Sequence, residues 1–130
     1  MTRWARWIHV GAAWLFAAGV VLQGYLAGRA LAQLGGNGDF SMHRDVGYTV
    51  LGILALVVIV AALVGRMPRR HVGWSVALVI LYVVQTALPF FRTDSPAIAA
   101  LHPANAMVLL VLAFFVGWRG RAIAMADPVA

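Results

Sequence analysis

Apolar residues run along nearly the whole chain, and polar punctuation breaks them at three places: Gly35-Gly36-Asn37-Gly38, Arg66-Met67-Pro68 and Arg92-Thr93-Asp94-Ser95. Four apolar stretches result, at about 4–34, 40–65, 70–91 and 96–118. At roughly 1.5 Å of rise per residue, each is long enough to cross a hydrocarbon layer of about 30 Å as a helix. The links between them are short, which makes consecutive helices antiparallel neighbours. The pattern therefore predicts an all-α, integral membrane four-helix bundle of up-down-up-down order, in which helices 1 and 3, and helices 2 and 4, stand diagonally. Pro68 and Pro96 suit first helical positions, with Ser95 as the N-cap of the last helix.

Composition agrees and narrows the picture. The chain has 130 residues, 63% of them hydrophobic, and a mean hydropathy of +0.88, which excludes an ordinary water-soluble globule. Residues 1–130 form a single transmembrane domain with nothing left over for a soluble one. The ten basic residues are all arginine, and their placement carries more than the net charge of +6. Arg3, Arg6, Arg66, Arg69, Arg70, Arg119 and Arg121 fall at one face, while Arg29, Arg44 and Arg92 at the other are offset by Asp39, Asp45 and Asp94. The positive-inside rule then puts both termini and the middle link in the cytoplasm, with Trp4, Trp7, Trp74 and Trp118 at the same headgroup level. These charges read as topology signals; no soluble basic surface exists to hold nucleic acid. A signal-peptide reading of the N-terminus, with cleavage after Ala30-Leu31-Ala32, is opposed by Arg29 and by the length of the apolar run.

The chemistry-bearing residues are few. With no cysteine, disulfides, iron–sulfur clusters and thiolate zinc sites are excluded. Lipid offers no hydrogen bonds, so polar side chains at membrane depth need partners in the bundle or a cavity to line. Every helix supplies at least one to the outer half: Gln23, His43, Gln85, and His102 with Asn105. His43 and His102 stand on diagonal helices, and each has a small residue four places on, Gly47 and Ala106, giving clearance for a flat ligand. Pro103 cannot donate to the carbonyl of Ala99 and should bend its helix there.

Two imidazoles from diagonal helices match the axial ligation of a low-spin heme better than zinc, which takes three or more protein ligands. The expected site is a heme b ligated by His43 and His102. Arg44, Arg92 and Arg29 at the rim would meet its propionates, and Gln23, Gln85 or Asn105 would fix an imidazole tautomer. A weaker second pair, His9 and His71, lies toward the cytoplasmic side, with His71 expected among headgroups. Gly24 and Gly28 form a small-xxx-small pair suited to packing within the bundle or to a homodimer.

Two resemblances follow from these residues. His43-Arg44-Asp45-Val46-Gly47, with His102 beyond it, resembles the His-Arg-x-x-Gly pattern of a heme-ligating helix in heme A synthase, an enzyme of two fused four-helix halves. This chain is similar to one such half, and synthase activity does not carry over. Across nearly the full chain it resembles an uncharacterised family of small four-helix bacterial membrane proteins. That likeness rests on Val21-Leu22-Gln23, Ala27-Gly28, Phe40, His43-Arg44, Gly47, Gln85, Leu101-His102-Pro103 and Asn105. It implies a plasma-membrane protein in which Gln23, His43, Gln85, His102 and Asn105 share one site.

The expected function is that of a small membrane b-type cytochrome acting in electron transfer with a redox partner, and not an enzyme by itself. Alternatives are a noncatalytic accessory or scaffold subunit of a larger membrane complex, and a quinone or small-molecule binding protein.

Overall fold

The computed structural model describes residues 2–126. They form four long helices: α1 (Thr2–Ala30), α2 (Ser41–Val64), α3 (Arg69–Arg92) and α4 (Pro96–Met125), each long and apolar enough to cross a membrane. α1 packs against α2 and α4, and α3 packs against the same two, so α1 and α3 are diagonal, as are α2 and α4. There are no strands among the described residues. α4 continues to Met125, beyond the end expected near Trp118; no proline or loop signal intervenes, and the amphipathic stretch after Trp118 simply stays helical. α4 breaks for one residue at Ala100, where Pro103, lacking an N–H, leaves the Ala99 carbonyl without its helical donor.

The centre is built from small side chains with a few large ones between them. Phe16, Val58, Leu78, Leu109 and Val116 are fully enclosed or nearly so, among Ala13, Ala17, Ala55 and Ala113. The alanines allow close van der Waals fit between the helices. Glycines bring side chains across helix axes: Trp14 lies over Gly117, and Tyr82 over Gly52. Gly24 and Gly28 behave otherwise, because a Cβ at either would meet nothing. They do not take part in packing within the bundle.

The connections are tied to the helix ends they follow. After α1 the Gly36 N–H donates to Leu31 O (2.9 Å) and the Gly38 N–H to Ala30 O (2.9 Å), so the loop satisfies carbonyls that a helix end leaves free. Gly35 and Gly38 have φ of +85° and +79°, and a Cβ on Gly36 would run into the backbone of Arg29 and Ala30. Asn37 and Asp39 then accept from Asp39 and Ser41 backbone N–H groups, two successive Asx turns leading into α2. The Ser41 N–H beside it holds the Asp39 carboxyl below its ordinary range. At the face bearing the termini, Arg6 donates from Nε to Gly65 O (2.9 Å) and from a terminal nitrogen to Ile123 O (3.5 Å), a cation set at two helix C-terminal ends where the dipole favours it. Pro68 precedes α3 as its cap residue instead of opening it. Pro96 does open α4, and Ser95 caps it through its backbone oxygen rather than its hydroxyl.

His71 is buried, not exposed among headgroups. Its Nε2 is 2.8 Å from Nε2 of His9, whose Nδ1 donates to Val58 O at 2.8 Å. The Val58 carbonyl can only accept, so His9 carries its proton on Nδ1 and receives the His71 Nε2–H. Gly120 leaves the room for both rings: a Cβ there would stand 3.1 Å from His9 Cδ2 and 3.4 Å from His71 Nε2. Gly120→Leu should therefore lower the thermal unfolding midpoint in detergent, with a loss of about 1–3 kcal/mol from overpacking, whereas Gly24→Ala should leave it unchanged or slightly raised. Equal midpoints for the two variants would contradict this arrangement.

Candidate functional site

The half of the bundle away from the start of α1 contains a repeated unit that the sequence did not reveal. His43 of α2 donates from Nδ1 to the backbone carbonyl of Gln23 in α1 (3.1 Å), and His102 of α4 donates from Nδ1 to the backbone carbonyl of Gln85 in α3 (3.0 Å). Each helical hairpin thus carries one glutamine and one histidine, joined the same way. The only trace in the sequence is the spacing, 20 residues in one case and 17 in the other.

The two glutamine side chains part company. Asn105 donates from Nδ2 to Leu81 O (3.0 Å) and to Gln85 Oε1 (2.7 Å). The Leu81 carbonyl can only accept, which identifies the donating end of Asn105 and hence the accepting end of Gln85. The Gln85 Nε2 therefore donates to His102 Nε2, at 3.2 Å. His102 is gripped at both nitrogens by one residue. Gln23, by contrast, is buried with neither amide atom partnered. Its amide lies 2.9 Å from where a Cβ of Gly47 would stand. The clearance expected at Gly47 for a flat ligand is thus occupied by the Gln23 side chain.

Both outer imidazoles are consequently fixed with hydrogen on Nδ1 and a lone pair on Nε2. Their ring centres lie 6.2 Å apart, inclined at 63°. The inner pair differs. At 2.8 Å, His9 and His71 bond to each other and leave no space for an ion.

A half-enclosed, largely apolar cavity of about 100 Å³ lies at the outer pair, lined by Gln23, His43, Arg44, Gly47, Gln85 and His102, with Tyr48, Tyr82 and Ala106 among the others. Asn105 reaches it only through Gln85. Arg92, expected at the rim, sits in the 3₁₀ turn that ends α3 and lines neither this cavity nor its neighbour. The neighbour, about 120 Å³ and more polar, lies between Arg29, Asn37, Asp39, Ser41 and the other side of His43. Among the described residues no three His, Cys, Asp or Glu side chains gather to hold a metal ion, so the donor set here is two imidazoles.

Tyr48 and Tyr82 were not expected in this site. α2 contains a π-helical turn at Val46–Val50, a form that leaves backbone groups out of the regular ladder and recurs at functional sites. The Tyr82 hydroxyl is within bonding distance of both Gly47 O (3.1 Å) and Tyr48 O (3.2 Å), and Tyr48 reaches Thr86 O (3.4 Å). Tyrosines in apolar runs give little warning of such a role; only Gly52, which makes room for Tyr82, hints at it.

The chain belongs to the family of unknown function DUF6220, whose model matches residues 23–92. The match opens at Gln23, takes in His43, Arg44, Gly47, Gln85 and Arg92, and ends before His102 and Asn105. It is narrower than the full-length likeness expected. No curated protein and no solved structure matches the chain.

Two measurements test the local geometry. In ligand-free protein, ¹⁵N spectra of labelled imidazole should report Nδ1-protonated tautomers for His43 and His102; an Nε2-protonated signal from either would overturn the hydrogen-bond assignment. Tyr82→Phe removes the donor from the π turn and should cost about 0.5–2 kcal/mol of unfolding free energy, while Tyr25→Phe, on an exposed ring, should cost nothing measurable.

Proposed function

We propose that the protein is a small multi-pass membrane b-type cytochrome that holds one heme between His43 and His102. Both termini would lie in the cytoplasm and the heme near the outer face of a bacterial plasma membrane, where it would pass electrons to a redox partner. One observation carries the reading: two imidazoles from diagonal helices, each locked with Nε2 unprotonated, have ring centres 6.2 Å apart. His43 Nε2 is the ring nitrogen open to such a group, and His102 Nε2 would become so on release of the Gln85 amide.

The residues present fit the group in three further respects. The donor set has two nitrogens and no carboxylate, as axial ligation requires and zinc ordinarily does not. The orphaned amide of Gln23 stands at the cavity, and a buried unpartnered amide costs about 1–3 kcal/mol, a penalty that a polar edge of a bound group removes. Arg44 lines the cavity, and Arg29 the polar space on the other side of His43, so cations are at hand for propionates. The cavity of about 100 Å³ is smaller than the roughly 300–1,000 Å³ of ordinary ligand sites, so the Gln23 and Tyr48 side chains would have to swing aside.

When bound, heme would supply one-electron chemistry. The chain's own part is to hold the two imidazoles at fixed tautomer, to exclude water with Val20, Leu51 and Leu109, and to balance charge at the rim. The orphaned Gln23 amide also favours a second reading, a lipid-soluble carbonyl compound such as a quinone bound at the same cavity.

Protein produced with ample heme should show a Soret band and sharp, split α and β bands on reduction. His43→Ala or His102→Ala should abolish the six-coordinate spectrum, and His9→Ala should spare it. A colourless preparation carrying an extractable quinone would replace this reading with the second.

A further inference from the structure

The polar cavity of about 120 Å³ lies where α1 ends and α2 begins, and its lining brings together one charge of each sign, Arg29 and Asp39. Each charge has a local reason. Arg29 occupies the last turn of α1, where the helix dipole favours a cation, and Asp39 stands just before α2, where the dipole favours an anion. The antiparallel hairpin carries both helix ends, and so both charges, to one place. Asp39 is fixed there, because its Oδ1 accepts the Ser41 N–H at 2.8 Å, and Oδ2 is left for another donor. Asn37 spends its Oδ1 on the Asp39 N–H (3.0 Å), so its amide nitrogen is left to donate, and Ser41 adds a hydroxyl to the same lining.

We propose, on the multi-pass reading above and independently of heme, that this cavity binds the zwitterionic headgroup of an ethanolamine phospholipid. Arg29, Asn37 and Ser41 hold the phosphate, and Asp39 holds the ammonium. A plain anion meets the Asp39 carboxylate and a plain cation meets the Arg29 guanidinium, so a ligand carrying both signs suits the lining where neither ion alone does. Guanidinium and phosphate form charge-assisted, commonly bidentate bonds, and a primary ammonium has three N–H donors for a carboxylate. A choline headgroup has the same charges but no N–H, so it keeps the attraction to Arg29 and loses the bond to Asp39.

Position selects a lipid over a soluble zwitterion. The cavity sits at the ends of two helices long and apolar enough to cross a membrane, which is the depth of headgroups. Leu26, also in the lining, lies one turn further into α1 and leads from the cavity toward the apolar layer where acyl chains run.

Delipidated full-length protein in nonionic detergent tests this, with the thermal unfolding midpoint titrated against phospholipids of identical acyl chains. Phosphatidylethanolamine should bind about threefold to tenfold more tightly than phosphatidylcholine, the worth of one charge-assisted hydrogen bond at an exposed site. Asp39→Asn keeps an oxygen for the Ser41 N–H while removing the charge, and should erase that preference; Arg29→Gln should weaken both lipids. The wild-type comparison stands whether or not either variant folds. Equal affinity for the two lipids, a preference that survives Asp39→Asn, or affinities unaltered in Arg29→Gln overturns the assignment. Equal stabilisation by water-soluble phosphoethanolamine at matched concentration overturns the lipid as its ligand. No readout involves heme, so failure here leaves the cytochrome reading untouched, and a colourless protein can still pass.

Discussion

The bond from an imidazole Nδ1 to a backbone carbonyl of the preceding helix is the interaction on which the half of this bundle around the cavity depends. It appears twice, His43 on Gln23 and His102 on Gln85, and each time it accomplishes three things. It satisfies a polar group that lipid cannot, links the two helices of a hairpin, and decides which ring nitrogen keeps its lone pair. Without it the His43 ring would have no bond to set its tautomer, whereas His102 would still accept from the Gln85 amide.

The two histidine pairs show how strongly local packing governs what a residue type does. His9 and His71 are buried among α1, α2 and the small surface of Gly120, and they close on each other at 2.8 Å. His43 precedes the π turn of α2 and His102 follows the break in α4, and each ring is held by the glutamine of the preceding helix. One pair is a hydrogen-bonded cross-link between diagonal helices. The other lines a cavity. Arg6 fastens the C-terminal ends of α2 and α4 at the opposite face.

Much of the fold was legible because its determinants are coarse. Four apolar runs, three short links and no cysteine lead to one antiparallel bundle, and the diagonal order follows from link length alone. The polar set of the site was legible for a related reason: in a chain this apolar, Gln23, His43, Gln85, His102 and Asn105 stand out individually. Their roles were not. That Gln23 would fill the gap at Gly47, that Gln85 would hold both nitrogens of His102, and that Arg92 would fall outside the cavity all depend on helix rotation, which sequence spacing does not determine in helices apolar on nearly every side. Tyr82 was invisible because its hydroxyl answers carbonyls freed by a backbone distortion, and that distortion has no sequence signature beyond a glycine.

The π turn at Val46–Val50 also divides α2 into two segments of different angular phase. One additional residue per turn offsets everything before it by about 100° relative to an uninterrupted helix. Leu51, Ala55, Val58 and Ala62 keep a single packing face toward the centre, while Phe40, His43 and Arg44 are aimed by a separate register. His43 therefore takes its direction from the segment before the distortion, and the apolar seam takes its own from the segment after it. A helix that looks continuous in composition is geometrically two parts.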